Sequence, residues 1–176
     1  SGFVTARRIA TVSSKITGRV AEVRIEEGMR VEEGQVLARL DAVDARAQLA
    51  LADAQRAASE SQLAEARAQL LLAESMLARQ QELLARQLAA PAALDQARAD
   101  RDARAARLAS LGKAVEVARR QQDLARLGLE HTEVRAPFAG VIVAKAAQPG
   151  EMVSPLSAGG GFTRTGIGTL VDMDSL

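Results

Sequence analysis

Cysteine, tryptophan and tyrosine are absent from this sequence, and phenylalanine occurs three times, proline four times and histidine once. Without cysteine there is no disulfide, thiolate metal site or thiol nucleophile. The lone histidine, His131, cannot build a multi-histidine metal centre within one chain. Charge of one sign is also missing. The 23 basic and 22 acidic residues are interspersed and leave a net charge of +1, so no stripe exists to follow a phosphate backbone, and nucleic acid is not an expected partner. No apolar run approaches the ~20 residues that cross a bilayer, and Ser1-Gly2-Phe3-Val4 has neither the basic nor the apolar region of a signal peptide. The 176 residues therefore read as a soluble stretch. It opens mid-pattern and stops at Val171-Asp172-Met173-Asp174-Ser175-Leu176 as a strand is finishing, which reads as an excised or a partly ordered piece.

Catalytic patterns are missing too: there is no Ser-His-Asp order, phosphate loop or dinucleotide fingerprint. The carboxylates Asp172 and Asp174 alternate along one strand, and Glu26, Glu27, Glu32 and Glu33 surround turns, which serves solubility. The expectation is a non-enzymatic protein with no cofactor and no metal.

What the sequence does contain is 48% hydrophobic residues with only 2% aromatic. Bulk therefore comes from Leu, Val and Ala, a composition suited to helices packed closely along a narrow seam. From about Ala42 to Glu130 glycine nearly vanishes, leaving Gly112 and Gly128, and Ala, Leu, Gln, Arg and Glu dominate. In the first arm Leu49, Leu63, Leu70, Leu77 and Leu84 share a heptad position, with Arg56 the exception, and Ala52, Ser59, Ala66 and Ala73 follow three residues on. In the second arm Leu94, Leu108, Val115 and Leu129 share a position broken by Arg101 and Gln122, with Ala97, Leu111, Ala118 and Ala125 as the companion row. Two such seams zip together. The break falls at Leu88-Ala89-Ala90-Pro91, because proline disfavours helix in the residue before it yet suits a first helical turn. At ~1.5 Å per residue the first arm would reach roughly 60 to 70 Å. In the second arm Arg101, Arg104 and Arg107 with Asp100 and Asp102 admit two readings, ion pairing within the helix or bridging to a neighbouring protomer.

Short β-prone pieces punctuated by glycine flank this helical stretch. Apolar residues alternate at Ile16, Gly18, Val20, Val23 and Ile25 with one slip, which predicts half-buried strands and a bulge. From Thr132 the pattern resumes with Val134-Arg135-Ala136-Pro137-Phe138-Ala139-Gly140-Val141-Ile142-Val143. An internal repeat joins the two stretches: Gly18 and Val20 precede Gly28 and Val31 by the same offsets that separate Gly140 and Ile142 from Gly150 and Val153. Each copy alone is too small to bury a core, so the two are expected to pack on each other.

A Gly-x-Val unit followed by Glu-Gly-x-x-Val, duplicated in this way, resembles the two halves of a lipoyl or biotinyl carrier domain. Such carriers present a modifiable lysine on a tight hairpin between the halves. Here the only lysine between Leu40 and Val134 is Lys113, in the second arm. The split arrangement is similar to the periplasmic adaptor, or membrane fusion, family, HlyD-like and especially MacA-like. The resemblance is carried by Val12-Ser13-Ser14-Lys15-Ile16-Thr17-Gly18-Arg19-Val20, by Glu27-Gly28-Met29-Arg30-Val31-Glu32-Glu33-Gly34-Gln35-Val36-Leu37, by Val134 to Gly140, and by Pro149-Gly150-Glu151.

The fold this implies is α+β: a lipoyl-like β-sandwich from two split halves plus a long antiparallel coiled-coil hairpin. The expected organisation is a strand of an adjoining β domain over 1–11, a first half-motif over 12–41 and the hairpin over 42–131, with arms of about 42–88 and 91–130. A second half-motif over 132–176 carries a Gly-rich loop at 158–168.

The family pattern for docking on a TolC-like outer-membrane channel, Arg-x3-Leu-x6-Ser, is matched by Arg79 and Leu83, with Ala90 where serine is expected. The Gly-rich loop resembles one that such adaptors direct to a funnel lumen, where Gly160, Gly161, Phe162, Arg164 and Thr165 would be presented. The stretch from Gly159 to Asp172 is similar to adaptors of ABC-type permeases. The resemblance thus implies a periplasmic, inner-membrane-anchored adaptor, linking an inner-membrane transporter (ABC-type favoured, RND- or EmrA-type as alternatives) to a TolC-like channel, and assembling as a homo-hexamer. From other classes, a carrier domain of a multienzyme complex and a coiled-coil scaffold are the alternatives.

Overall fold

The computed structural model describes residues 8–155 and 163–172. Two compact units emerge: Leu49–Leu124, and the flanking stretches up to Gln48 and from Ala125 taken together.

The flanking stretches form two β-sheets. In chain order the strands are β1 (Ile9–Val12), β2 (Gly18–Val23), β3 (Arg30–Val31) and β4 (Val36–Leu40), then β5 (Glu133–Arg135), β6 (Gly140–Lys145), β7 (Met152–Val153), β8 (Thr163–Arg164) and β9 (Gly168–Val171). One sheet runs β1-β9-β6-β3 and the other β5-β4-β2-β7-β8. Each sheet takes strands from before and after the helices. The expected bulge is present, as a register shift between Val20 and Glu22 where β2 pairs with β4.

The duplication read from glycine spacing closes by exchange. Val31 of β3 pairs with Gly140 of β6, and Val153 of β7 pairs with Gly18 of β2. The Gly28 amide donates to the Ile142 carbonyl at 2.7 Å, and its counterpart Gly150 donates to the Val20 carbonyl at 2.8 Å. The return bonds match too, from Ile142 N–H to Met29 and from Val20 N–H to Glu151. Gly28 and Gly150 have φ of 84° and 92°, a conformation that costs a side-chain-bearing residue and that both turns require. Neither half can complete its own pairing, so the core forms only when both are present. That core collects Ile25, Leu37, Ile142, Ile167 and Leu170, all at most 1% exposed, together with Val20, Val31 and Val153. Arg8 lies over the Phe138 ring at 5.0 Å from its centroid, a cation–π contact at the start of β1.

The helices are α1 (Val43–Ala85) and α2 (Pro91–Glu130). Asp41 caps the start of α1, accepting from the Val43 amide at 3.1 Å while paired with Arg19 at 2.9 Å. Within 49–124 the two helices form the antiparallel hairpin, tied by hydrogen bonds from Arg119 to Glu60, from Gln122 to Asp53 and from Arg104 to Gln69. Burial follows the heptad rows: Ala52, Ala66 and Ala73 on α1 and Leu94, Val115 and Ala118 on α2 are buried, and the other seam leucines are half-buried. The α+β class expected from the sequence is present. No helix among the described residues is long and apolar enough to cross a membrane.

Candidate functional site

The end of the hairpin holds the three residues of the docking pattern. Arg79 lies on the exposed face of α1 and Leu83 is half-buried, one turn nearer the end of the helix. No hydrogen bond or ion pair engages Arg79 among the described residues, whereas its neighbour Arg86 is paired with Glu82. The helix stops because Gln87 takes the left-handed conformation, φ 58°. Its amide then reaches the Leu84 carbonyl at 2.9 Å and the Leu88 amide reaches Leu83 at 2.8 Å. This is a Schellman ending with glutamine where glycine is usual. The turn leaves Leu88 71% exposed.

Ala90 occupies the N-cap of α2, immediately before Pro91 at the first helical position. Its carbonyl accepts from Ala93 at 3.0 Å, but alanine has no side-chain oxygen for the orphan amides of the first turn. Serine at this place would supply a helix cap, so the departure from the family pattern touches local stability as well as contact chemistry. Sequence reading placed the break at Leu88 to Pro91 and carried the first arm to about residue 88, whereas α1 ends at Ala85 because Gln87, which was not singled out, takes the left-handed conformation.

Of the loop residues, Gly160, Gly161 and Phe162 lie outside the described residues. Thr163–Arg164 form β8, which pairs in parallel with β7, and Thr165 is exposed. The structure thus places Arg79, Leu83 and Ala90 at the same end of the hairpin and Thr165 in the other unit.

The arginines of the second arm resolve in part. Arg101 pairs with Asp102 at 3.0 Å and Arg104 with Asp100 at 3.4 Å, and Arg104 also crosses the seam to Gln69 at 2.7 Å. Lys113, the only lysine between the half-motifs, is in mid-helix, paired with Glu116 at 3.0 Å. That hydrogen bond, and then the lysine charge, hold the Glu116 carboxyl below the usual range. A carrier lysine belongs on an exposed turn, which is not where this one lies. Among the described residues no group of three or more acidic or histidine side chains converges as metal ligands.

No curated protein matches this sequence significantly. Solved structures do match in fold. MacA from Actinobacillus actinomycetemcomitans superposes with a TM-score of 0.80 at 19% identity, over 96% of this chain and 52% of that one. The membrane fusion protein Spr0693 from Streptococcus pneumoniae R6 gives 0.62 at 20% identity, over 94% and 65%. The periplasmic adaptor protein EmrA gives 0.52 at 15% identity, over 97% and 74%. This chain therefore spans about half the length of the MacA chain. The family model described as "RND MFP, barrel-sandwich hybrid domain" matches residues 8–159, which takes in the first half-motif, the hairpin and the start of the second half-motif, and the chain belongs to that membrane fusion protein family.

Proposed function

We propose that this protein is the periplasmic adaptor subunit of a tripartite efflux or secretion system, joining an inner-membrane transporter to a TolC-like outer-membrane channel. The observation that carries this reading is the hairpin end, which offers an unpaired cation at Arg79 and an uncovered leucine at Leu88 beside Ala90. The work is structural, and energy comes from the partner transporter. We favour an ABC-type permease on the resemblance of residues 159–172, and the family model's own description favours the RND-type alternative. Co-purification of full-length adaptor with each candidate permease decides between them.

A homo-hexamer fits the hairpin's outer surface. Leu51, Leu71, Leu72 and Met76 on α1 and Val117 and Leu124 on α2 are exposed on faces turned away from the seam. A neighbouring protomer would cover these side chains. The loop residues Gly160, Gly161, Phe162, Arg164 and Thr165 would then ring a lumen as a constriction, and shortening the loop changes back-leak during transport if they do.

The docking surface is tested by Arg79→Asp in cells, with the purified variant melted alongside. Export is expected to be lost while the melting temperature is unchanged. Normal export by this variant removes the hairpin end from the mechanism.

A further inference from the structure

About a third of the way from the base of the hairpin to its turn, the apolar seam gives way to a polar layer. Arg56 occupies the position that leucine holds at 49, 63, 70, 77 and 84, Ser59 occupies the following small position, and Gln122 interrupts the corresponding row of α2. Glu60 Oε1 accepts from both Arg56 Nη1, at 3.3 Å, and Arg119 Nη2, at 3.1 Å, and Gln122 donates to Asp53. One carboxylate oxygen thus serves two guanidinium groups, and Arg56 Nε is buried with no hydrogen-bond partner. A buried donor without an acceptor loses its hydration and gains nothing in return, so the layer contributes less to holding the helices together than a leucine layer does. The bonds that remain are between half-exposed chains, which water replaces easily.

We propose that this layer of Asp53, Arg56, Ser59, Glu60, Arg119 and Gln122 is a built-in point of opening in the hairpin. The helices separate here first, and the stretch beyond it, closed by Leu63, Ala66, Leu70 and Ala73 against Leu108, Leu111 and Val115, moves as one piece. The device is independent of which partner meets the hairpin end, because it rests only on the seam.

Hydrogen exchange followed by mass spectrometry tests it on the chain as it stands. Amides of 53–60 and 117–123 are expected to exchange about tenfold faster than those of 63–73 and 106–115, since local opening free energy follows local packing. In Arg56→Leu/Gln122→Leu, which completes the leucine row, that gap should close to within about twofold, with helix content by circular dichroism unchanged. Glu60→Gln, which withdraws the shared acceptor charge, should widen it. Uniform exchange along the wild-type hairpin, or a gap that survives completion of the leucine row, overturns the proposal.

Discussion

The sandwich and the hairpin are built from the same aliphatic residues and reach stability by different routes. In the sandwich, strands from both ends of the chain enclose side chains completely, and Leu37, Ile142, Ile167 and Leu170 are each 0% exposed. In the hairpin two helices can cover only one stripe of each other, so alanine is buried while the seam leucines, Leu94 excepted, stay partly in water. Helix propensity and many weak (i, i+4) pairs such as Arg56–Glu60 and Arg86–Glu82 must supply what packing does not. Packing should therefore dominate in one region and be diluted in the other.

The sharpest test of that contrast is one substitution made in both regions. Leu37→Ala is expected to cost about 3 kcal/mol, as removal of a fully enclosed leucine does. Leu70→Ala, in the hairpin seam, should cost about 1 kcal/mol, because part of its surface is already wet. Urea unfolding of the two variants measures both, and equal losses would break the comparison. Gly140→Ala comes next. A Cβ there would stand 2.3 Å from the Val171 carbonyl oxygen, which is backbone and cannot rotate away, so β6 and β9 must part. The expected cost is about 2 to 3 kcal/mol. Gly112→Ala, where a Cβ meets nothing within 4 Å in α2, should instead stabilise by up to about 1 kcal/mol. Opposite signs for one chemical change would show that glycine is a packing residue in the sandwich and a propensity defect in the hairpin.

Much of this was legible in the sequence because two periodicities were unmistakable. Leucine every seven residues with alanine three later names the seam of each helix, and Arg56 and Gln122 stood out as its interruptions. The doubled Gly-x-Val spacing named the pairs Gly18 with Gly140 and Gly28 with Gly150. What spacing could not convey is that the pairs close by exchange, β3 onto β6 and β7 onto β2, since strand partners are fixed by tertiary packing and not by sequence distance. Gln87 was equally hidden. Left-handed helix endings favour glycine, and a glutamine there is held by its surroundings at some local cost. Nothing in sequence said that Arg104 would reach across to Gln69, because cross-helix partners depend on register.

The hairpin end permits a smaller test of the same contrast. Ala90→Ser places a hydroxyl at the N-cap of α2, where the first-turn amides lack a side-chain acceptor, and should stabilise by about 1 kcal/mol. Because the sandwich does not feel this change, a hairpin that melts separately from it will show the gain in its own transition. Export measured on Ala90→Ser beside Arg79→Asp then separates capping from contact: a variant that gains stability without gaining export assigns the serine of the family pattern to the cap.

The smallest effect concerns acid. Asp41 ends the strand side and begins the helix side of the sandwich unit, and its carboxyl is held below the usual aspartate range, first by the Arg19 hydrogen bond and then by the Val43 amide. A lowered native pKa means that the unfolded chain binds the proton more readily. The stabilisation is therefore complete above the ordinary aspartate pKa and is lost as pH falls through the lowered native value. Both partners are well exposed, so the contribution is small and salt-sensitive. Asp41→Asn keeps an acceptor for the Val43 amide but cannot titrate. Urea midpoints taken from about pH 5 down to about pH 2 should fall more steeply for the wild type than for this variant, with the difference confined to the acid end. Lys113→Ala frees Glu116 from the analogous pairing in the hairpin, and comparing the two acid profiles shows which region yields first. If Asp41→Asn and the wild type lose stability in parallel, the Arg19 pair adds nothing, and the junction of β4 with α1 is held by the side-chain cap on the Val43 amide and by its backbone bonds.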